Sequence, residues 1–408
     1  MRLLPASADG TARVILTTRA VRAFVDGIAF VVFPVFLEAL GFTGLQIGAI
    51  ITAGLVGSAV LTLAVGVAAR RHAPVTLLTA GSIVMVATGI AFGFVSTFWA
   101  LLLLGVVTTM NTSSGDVSAF LPLEQALLSS SVGDNERTSV FARFNLVASL
   151  VGSAGALCAG IPGAVAVAFG ASEQSGRHGA FVFYGLAGLI VLPMYRSLGG
   201  IARVRTNNRH TTLGAASRRT VLQLSALFSL DSLGGGFATQ AIFALWVLRR
   251  FGLSTPSLGA VFAAAGILAA FSSLLSVRIA RRIGLVRTMV FTHIPASILL
   301  VLVALAPNVW VAMTLFVLRG LLSQMDVPAR TSYVMAVVEP QERAAAASIT
   351  NIPRSLASAF PPVLAGWMLD HSTFGWPLLL CAACKITYDL LLLTMFRDVR
   401  PPEERTSV

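Results

Sequence analysis

Apolar residues along this chain come in runs of about twenty, separated by short polar breaks. The runs fall at approximately 14–38, 45–67, 75–95, 98–123, 139–167, 179–196, 220–247, 256–277, 286–306, 309–333, 344–368 and 375–396. A helix needs roughly 20 apolar residues to cross about 30 Å of hydrocarbon. Lipid cannot hydrogen-bond an open backbone, and these runs are too long for barrel strands, so each predicts a membrane-spanning helix. The longest polar stretch, about Arg196 to Arg219, carries Gly199, Gly200 and Asn207-Asn208 among six arginines. It reads as a flexible basic linker. The expected organisation is a six-helix bundle over 1–196, a cytoplasmic linker over 197–219, and a second bundle over 220–408 with a short cytoplasmic tail.

Composition agrees. Of 408 residues, 56% are hydrophobic and 11% charged, and the mean hydropathy is +0.84. A soluble domain carries roughly 25% charged residues. A net charge of +12 would suit nucleic acid in a soluble chain. Here the arginines lie between apolar runs, so no nucleic-acid partner is expected. Lys385 is the single lysine, an arginine bias that reads as the coding bias of a high-GC bacterial genome. The first run contains Arg19, Arg22 and Asp26 and lacks a small-residue cleavage pattern, so no cleavable signal peptide is expected. Cys381 and Cys384 lie in an apolar run and, like Cys158, are expected to be inert.

Charge sets the orientation. With the N-terminus inside, 22 arginines fall on the cytoplasmic side and three, Arg177, Arg249 and Arg250, outside. This asymmetry and the even number of spans put both termini in the cytoplasm.

The halves also repeat. Gly41 and Gly48 match Gly252 and Gly259, and Ala69-Arg70-Arg71 matches Ala280-Arg281-Arg282. Gly115-Asp116-Val117 matches Met325-Asp326-Val327, and Glu136-Arg137 and Asn145 match Glu342-Arg343 and Asn351. Six spans per half makes the repeats parallel.

On these residues the chain resembles the major facilitator superfamily. Arg278-Ile279-Ala280-Arg281-Arg282-Ile283-Gly284 is similar to the family's loop motif, and Gly66 to His72 is a degenerate first copy that keeps the arginines and lacks the aspartate. Arg319-Gly320 in span ten is similar to an intramembrane arginine motif usual in span four, where Thr109 stands here. Gly152, Gly155, Gly160 and Pro162 partly echo the antiporter motif of span five. The resemblance implies an all-α integral membrane fold of twelve helices in two parallel six-helix repeats. It also implies a monomeric secondary transporter of a small solute, with no cofactor and no enzymatic activity, in the bacterial cytoplasmic membrane.

A charge at the bilayer centre costs roughly 2.5–3.5 kcal/mol on insertion scales, so each needs a reason. Asp26 in span one is either the partner of Arg22 one turn earlier or a protonatable carboxylate, placed like the coupling acids of drug–proton antiporters in the resembled family. Asp231 in span seven precedes Gly234-Gly235-Gly236, a place for bending or for close packing. Arg319 and Arg354 either neutralise Asp231 or hold a carboxylate or phosphate. Asn111, Gln240 and Asn351 are uncharged candidates for the same cavity. Lys385 and Asp389, one turn apart in span twelve, read as a structural ion pair. Arg70, Arg71, Asp116, Arg281, Arg282, Asp326 and Arg330 are expected to form a cytoplasmic gate of opposed charges. Pro328, Pro353, Pro361 and Pro362 are expected to bend spans ten and eleven.

The leading expectation is proton-coupled efflux of a small organic compound. The alternative within transport is an organic anion or phosphate. A non-transporting sensor or scaffold is the alternative from another class. No Walker loop, His-Glu-x-x-His or Gly-x-Ser-x-Gly motif supports ATP-driven or hydrolytic chemistry.

Overall fold

The computed structural model describes residues 10–69, 71–110, 120–131, 137–199, 214–339 and 342–397. Among the described residues every regular element is helical. Seven of the twelve expected spans are single helices: α1 (Gly10–Ala39), α2 (Gly44–Ala68), α3 (Pro74–Phe92), α8 (Glu173–Arg196), α11 (Thr255–Ile283), α12 (Leu285–Leu305) and α17 (Trp376–Phe396). The other five are broken, which the apolar pattern did not reveal. Span four is α4 (Phe98–Val107) and α5 (Leu121–Ser130), and span five is α6 (Arg137–Leu157) and α7 (Ile161–Ala168). Span seven is α9 (Ala215–Phe237) and α10 (Gln240–Phe251). Span ten is α13 (Val309–Gly320) and α14 (Asp326–Ala336), and span eleven is α15 (Arg343–Ala359) and α16 (Pro361–His371).

The breaks have local causes. Pro122, Pro162, and Pro361 with Pro362 open α5, α7 and α16, where a missing N–H costs nothing. Pro328 sits in the first turn of α14, while Pro353 stays inside α15. In span seven the Thr239 hydroxyl accepts from the Ile242 N–H and starts α10 afresh. The glycine triplet is not the break, because α9 runs through it. A Cβ on Gly234 would meet the Cys384 Cβ at 2.8 Å, and one on Gly236 the Ser358 carbonyl at 2.6 Å. These glycines permit close helix packing.

Contacts divide the chain into two units, 1–207 with 252–263, and 208–251 with 264–408. The opening of span eight thus groups with the first unit, where Gly259 lies against Ala156. In the first unit α1 packs along α6 and α8, and α3 along α8. Gly27 and Gly155 make the first of these close: a Cβ on Gly155 would stand 2.0 Å from the Phe24 carbonyl oxygen. The second unit repeats the scheme, with α9 along α15 and α17, and α12 along α17. Turns repeat as well. Gly41 and Gly252, matched in the sequence, adopt φ of 79° and 63°, a left-handed conformation open to glycine.

Among the described residues nine helical stretches are long and apolar enough to cross a membrane. Large apolar side chains such as Phe271, Phe291 and Trp376 are exposed on them, as expected where lipid is the solvent.

Candidate functional site

The buried charges gather in two clusters, one in each unit. In the first, the Arg22 guanidinium on α1 meets the Glu124 carboxylate on α5 at 2.5 Å, and both side chains are almost wholly buried. The Tyr195 hydroxyl on α8 donates to the other oxygen of Glu124. The Phe120 ring lies 4.0 Å from the Arg22 guanidinium carbon. Arg22 takes Glu124 as its hydrogen-bonded partner, and Asp26, one turn along α1, acts on it as a nearby charge. Glu124 comes from 102 residues away. Asp26 is half-buried and within hydrogen-bonding reach of Tyr184 on α8, whose hydroxyl lies 3.4 Å from that of Thr109.

The second cluster is larger. Asp231 on α9 is 4% exposed. One of its oxygens accepts from the Lys385 ammonium on α17 at 2.7 Å, and the other from the Arg330 guanidinium on α14 at 3.0 Å. Arg330 also lies 3.4 Å from Asp326 one turn earlier. His293 on α12 turns Nδ1 to both oxygens of Asp389, at 3.1 and 3.0 Å. Its Nε2 stands 3.4 Å from the Lys385 nitrogen and 3.7 Å from an Asp231 oxygen.

Several expectations change here. Lys385 and Asp389 do not pair with each other: side chains one turn apart on α17 reach Asp231 and His293 instead. Among the described residues Arg319 and Arg354 form no ion pair with Asp231, whose two oxygens are taken by Lys385 and Arg330. Asp326 and Arg330, expected at a cytoplasmic gate, are 3% and 5% exposed and belong to the Asp231 cluster. Arg71 and Arg282 are exposed. Arg70, Asn111 and Asp116, and the side chain of Arg281, lie outside the described residues. Gln240 opens α10 and is half-buried, and Asn351 is exposed on α15.

Two cations in the second cluster keep no carboxylate. Arg354 donates from Nε to the Ser232 hydroxyl at 2.8 Å and, among the described residues, forms no ion pair. The Arg319 side chain makes no hydrogen bond or ion pair among them, and its buried Nε is unsatisfied. Among the described residues, the cluster around Asp231 holds four cations, Arg319, Arg330, Arg354 and Lys385, against three carboxylates, Asp231, Asp326 and Asp389. It therefore carries a positive excess that suits an anion. Among the described residues no group of His, Cys, Asp and Glu is arranged to hold a metal ion.

Sequence reasoning missed Glu124, Tyr195, Tyr184 and His293. His293 stands inside an apolar run of the sequence and Glu124 directly after the end of one, and those positions were the available signal. Their partners were not legible, because each lies on another helix.

The fold and these sites define a polytopic all-helical membrane protein with the fold of the major facilitator superfamily. The sequence model of the Major Facilitator Superfamily matches residues 224–408. An uncharacterized membrane protein of Saccharomyces cerevisiae is 23% identical over 407 residues, covering 91% of each chain. A bacterial homolog of the human lysosomal transporter Spinster, solved in an inward-facing and occupied conformation, superposes with a TM-score of 0.74 at 15% identity, over 95% of both chains. The nucleoside transporter NupG gives 0.72 at 14% identity, over 95% of this chain and 100% of that one. A bacterial homologue of the iron transporter ferroportin gives 0.73 at 13%, over 94% and 98%. The curated relative is a yeast protein, so the comparisons support a multi-pass membrane protein and do not extend to a bacterial inner membrane.

Proposed function

We propose that the chain is a secondary transporter that moves a small organic anion by alternating access. One observation carries the anion: among the described residues Arg319 and Arg354 have no carboxylate partner, in a cluster whose other charges are paired. A guanidinium presents a planar fork that matches carboxylate or phosphate. An anion arriving there would supply the missing negative charge. The arginine-for-lysine usage and the 22-to-3 placement of arginines favour a bacterial cytoplasmic membrane with both termini inside.

A thermal-shift screen of the purified protein against acidic, basic and neutral metabolites tests this, because a ligand of the folded state raises its stability by mass action. Acidic compounds should stabilise the wild type, and the shift should vanish in Arg319→Gln and Arg354→Gln. Stabilisation by basic or neutral compounds that persists in both variants would sink the anion assignment.

A second reading, proton-coupled efflux of an amphiphilic compound, is favoured by Asp26 beside Tyr184 and Thr109 in the first unit. It requires that Asp26→Asn abolish substrate-driven proton flux in proteoliposomes. Under the anion reading Asp26→Asn leaves the acidic-ligand shift in place.

A further inference from the structure

His293 is 4% exposed and has an ionisable partner at each ring nitrogen. Lys385, Tyr388 and Asp389 reach it from α17 and Asp231 from α9, and α13 and α14, the other helices packed on α12, carry Arg319, Asp326 and Arg330. The tautomer follows from the network. Asp389 accepts at Nδ1, which places the proton there, and leaves Nε2 as the acceptor facing the Lys385 ammonium.

That arrangement has a second state. A proton on Nε2 turns an acceptor into a donor and places a positive charge 3.4 Å from the Lys385 nitrogen. The same N–H then faces the Asp231 oxygen, 3.7 Å away, that Lys385 occupies in the first state. Lysine and imidazolium compete for one oxygen. Arg330 keeps the other oxygen, so Asp231 stays compensated in both states. Held by two cations, it is the fixed point of the exchange.

We propose that His293, positioned by Asp389, is the proton-binding site of the second unit, and that its protonation transfers Asp231 from Lys385 to His293. The released ammonium joins Arg319 and Arg354 as a cation without a carboxylate. Proton binding and anion binding in this unit therefore favour each other, which is the thermodynamic signature of symport. The coupling to transport rests on the anion reading. The exchange of partners does not.

The test uses the chain's single lysine. Full-length protein carrying [ε-15N]lysine gives one side-chain nitrogen signal, from Lys385, and the measurement requires neither substrate nor transport. Imidazole ordinarily changes charge between pH 5 and 8. The wild-type signal should move as pH is lowered from 8 to 5, and in His293→Gln it should stay fixed over that range. In Asp389→Asn the carboxylate at Nδ1 is gone, and the pH response of the Lys385 signal should differ from that of the wild type. A wild-type signal that does not respond to pH overturns the proposal. So does a response unchanged in His293→Gln, or a transition unmoved in Asp389→Asn, the variant that decides if His293→Gln fails to fold. If the exchange occurs while acidic ligands fail to bind, the anion reading falls and the proton site stands.

Discussion

At the residue scale, the decisive fact is which buried charge meets which partner. Arg22 and Glu124 are each nearly inaccessible and satisfy one another at 2.5 Å. Removing one partner of such a pair strands a charge and costs about 3–5 kcal/mol, whereas replacing both with apolar residues is often close to neutral. Glu124→Leu should therefore lower the unfolding temperature in detergent markedly, and the double variant Arg22→Leu/Glu124→Leu should recover most of the loss. A double variant no more stable than the single one would mean that Tyr195 and Phe120 need the pair in place. The three arginines expected outside follow the same logic. Arg177 pairs with Glu173, Arg249 pairs with Asp370, and Arg250 donates to the Ala304 and Ala306 carbonyls beneath the C-terminal end of α12. The residues that break the inside-positive pattern are thus held by local partners.

At the element scale, glycines in one sequence run have different duties. Within Gly234-Gly235-Gly236 the outer two meet neighbouring helices, and nothing lies within 4 Å of a Cβ on Gly235. Overpacking typically costs 1–3 kcal/mol, and an unhindered helical Gly→Ala change gains up to about 1 kcal/mol. Gly234→Ala and Gly236→Ala should lower the melting temperature, and Gly235→Ala should leave it unchanged or raise it. Equal effects at all three would mean that the triplet acts as a hinge. The start of α9 holds another element-scale device. The Glu342 carboxylate accepts from the Gly214 N–H at the helix N-terminus, and hydrogen bonds from Ser217 and from that N–H hold its pKa below the ordinary glutamate value. A folded-state pKa that is depressed gives stability that is present above the unfolded value and lost as pH falls through the folded one. Glu342→Gln should thus be less stable than wild type at neutral pH, and the gap should close as pH drops below about 4. Unfolding profiles of both proteins across that range check the sign.

At the scale of the whole molecule, the two units share a plan and differ in their interiors. The packing of first with fifth, first with sixth and third with sixth spans recurs, as does the positive-φ glycine after the first span of each half. Spans four and five are broken, and so are their counterparts ten and eleven. Among the described residues the first unit's buried cluster centres on the Arg22–Glu124 pair, while the second holds an extended network with more cations than carboxylates around Asp231. The orientation is testable at this scale. Alkaline phosphatase fused after Gly170, between α7 and α8, should be active outside the membrane, and a fusion after Val408 should be inactive. The reverse pattern would overturn the placement of both termini.

The sequence by itself determined the twelve apolar runs, their repeat at a spacing of about 210 residues and the charge asymmetry of the loops. Each of these follows from composition along the chain, because lipid imposes its requirement on every segment separately. It also marked Asp26, Asp231, Arg319 and Arg354 as charges needing an explanation. Only the tertiary structure decided the partners. Lys385 passes over Asp389, its neighbour in sequence, to reach Asp231 154 residues away, and Glu124 and His293 acquire their meaning from other helices. Helical spacing predicts contacts within one helix, whereas a buried charge is satisfied by whatever the neighbouring helices present, and that depends on how the helices pack.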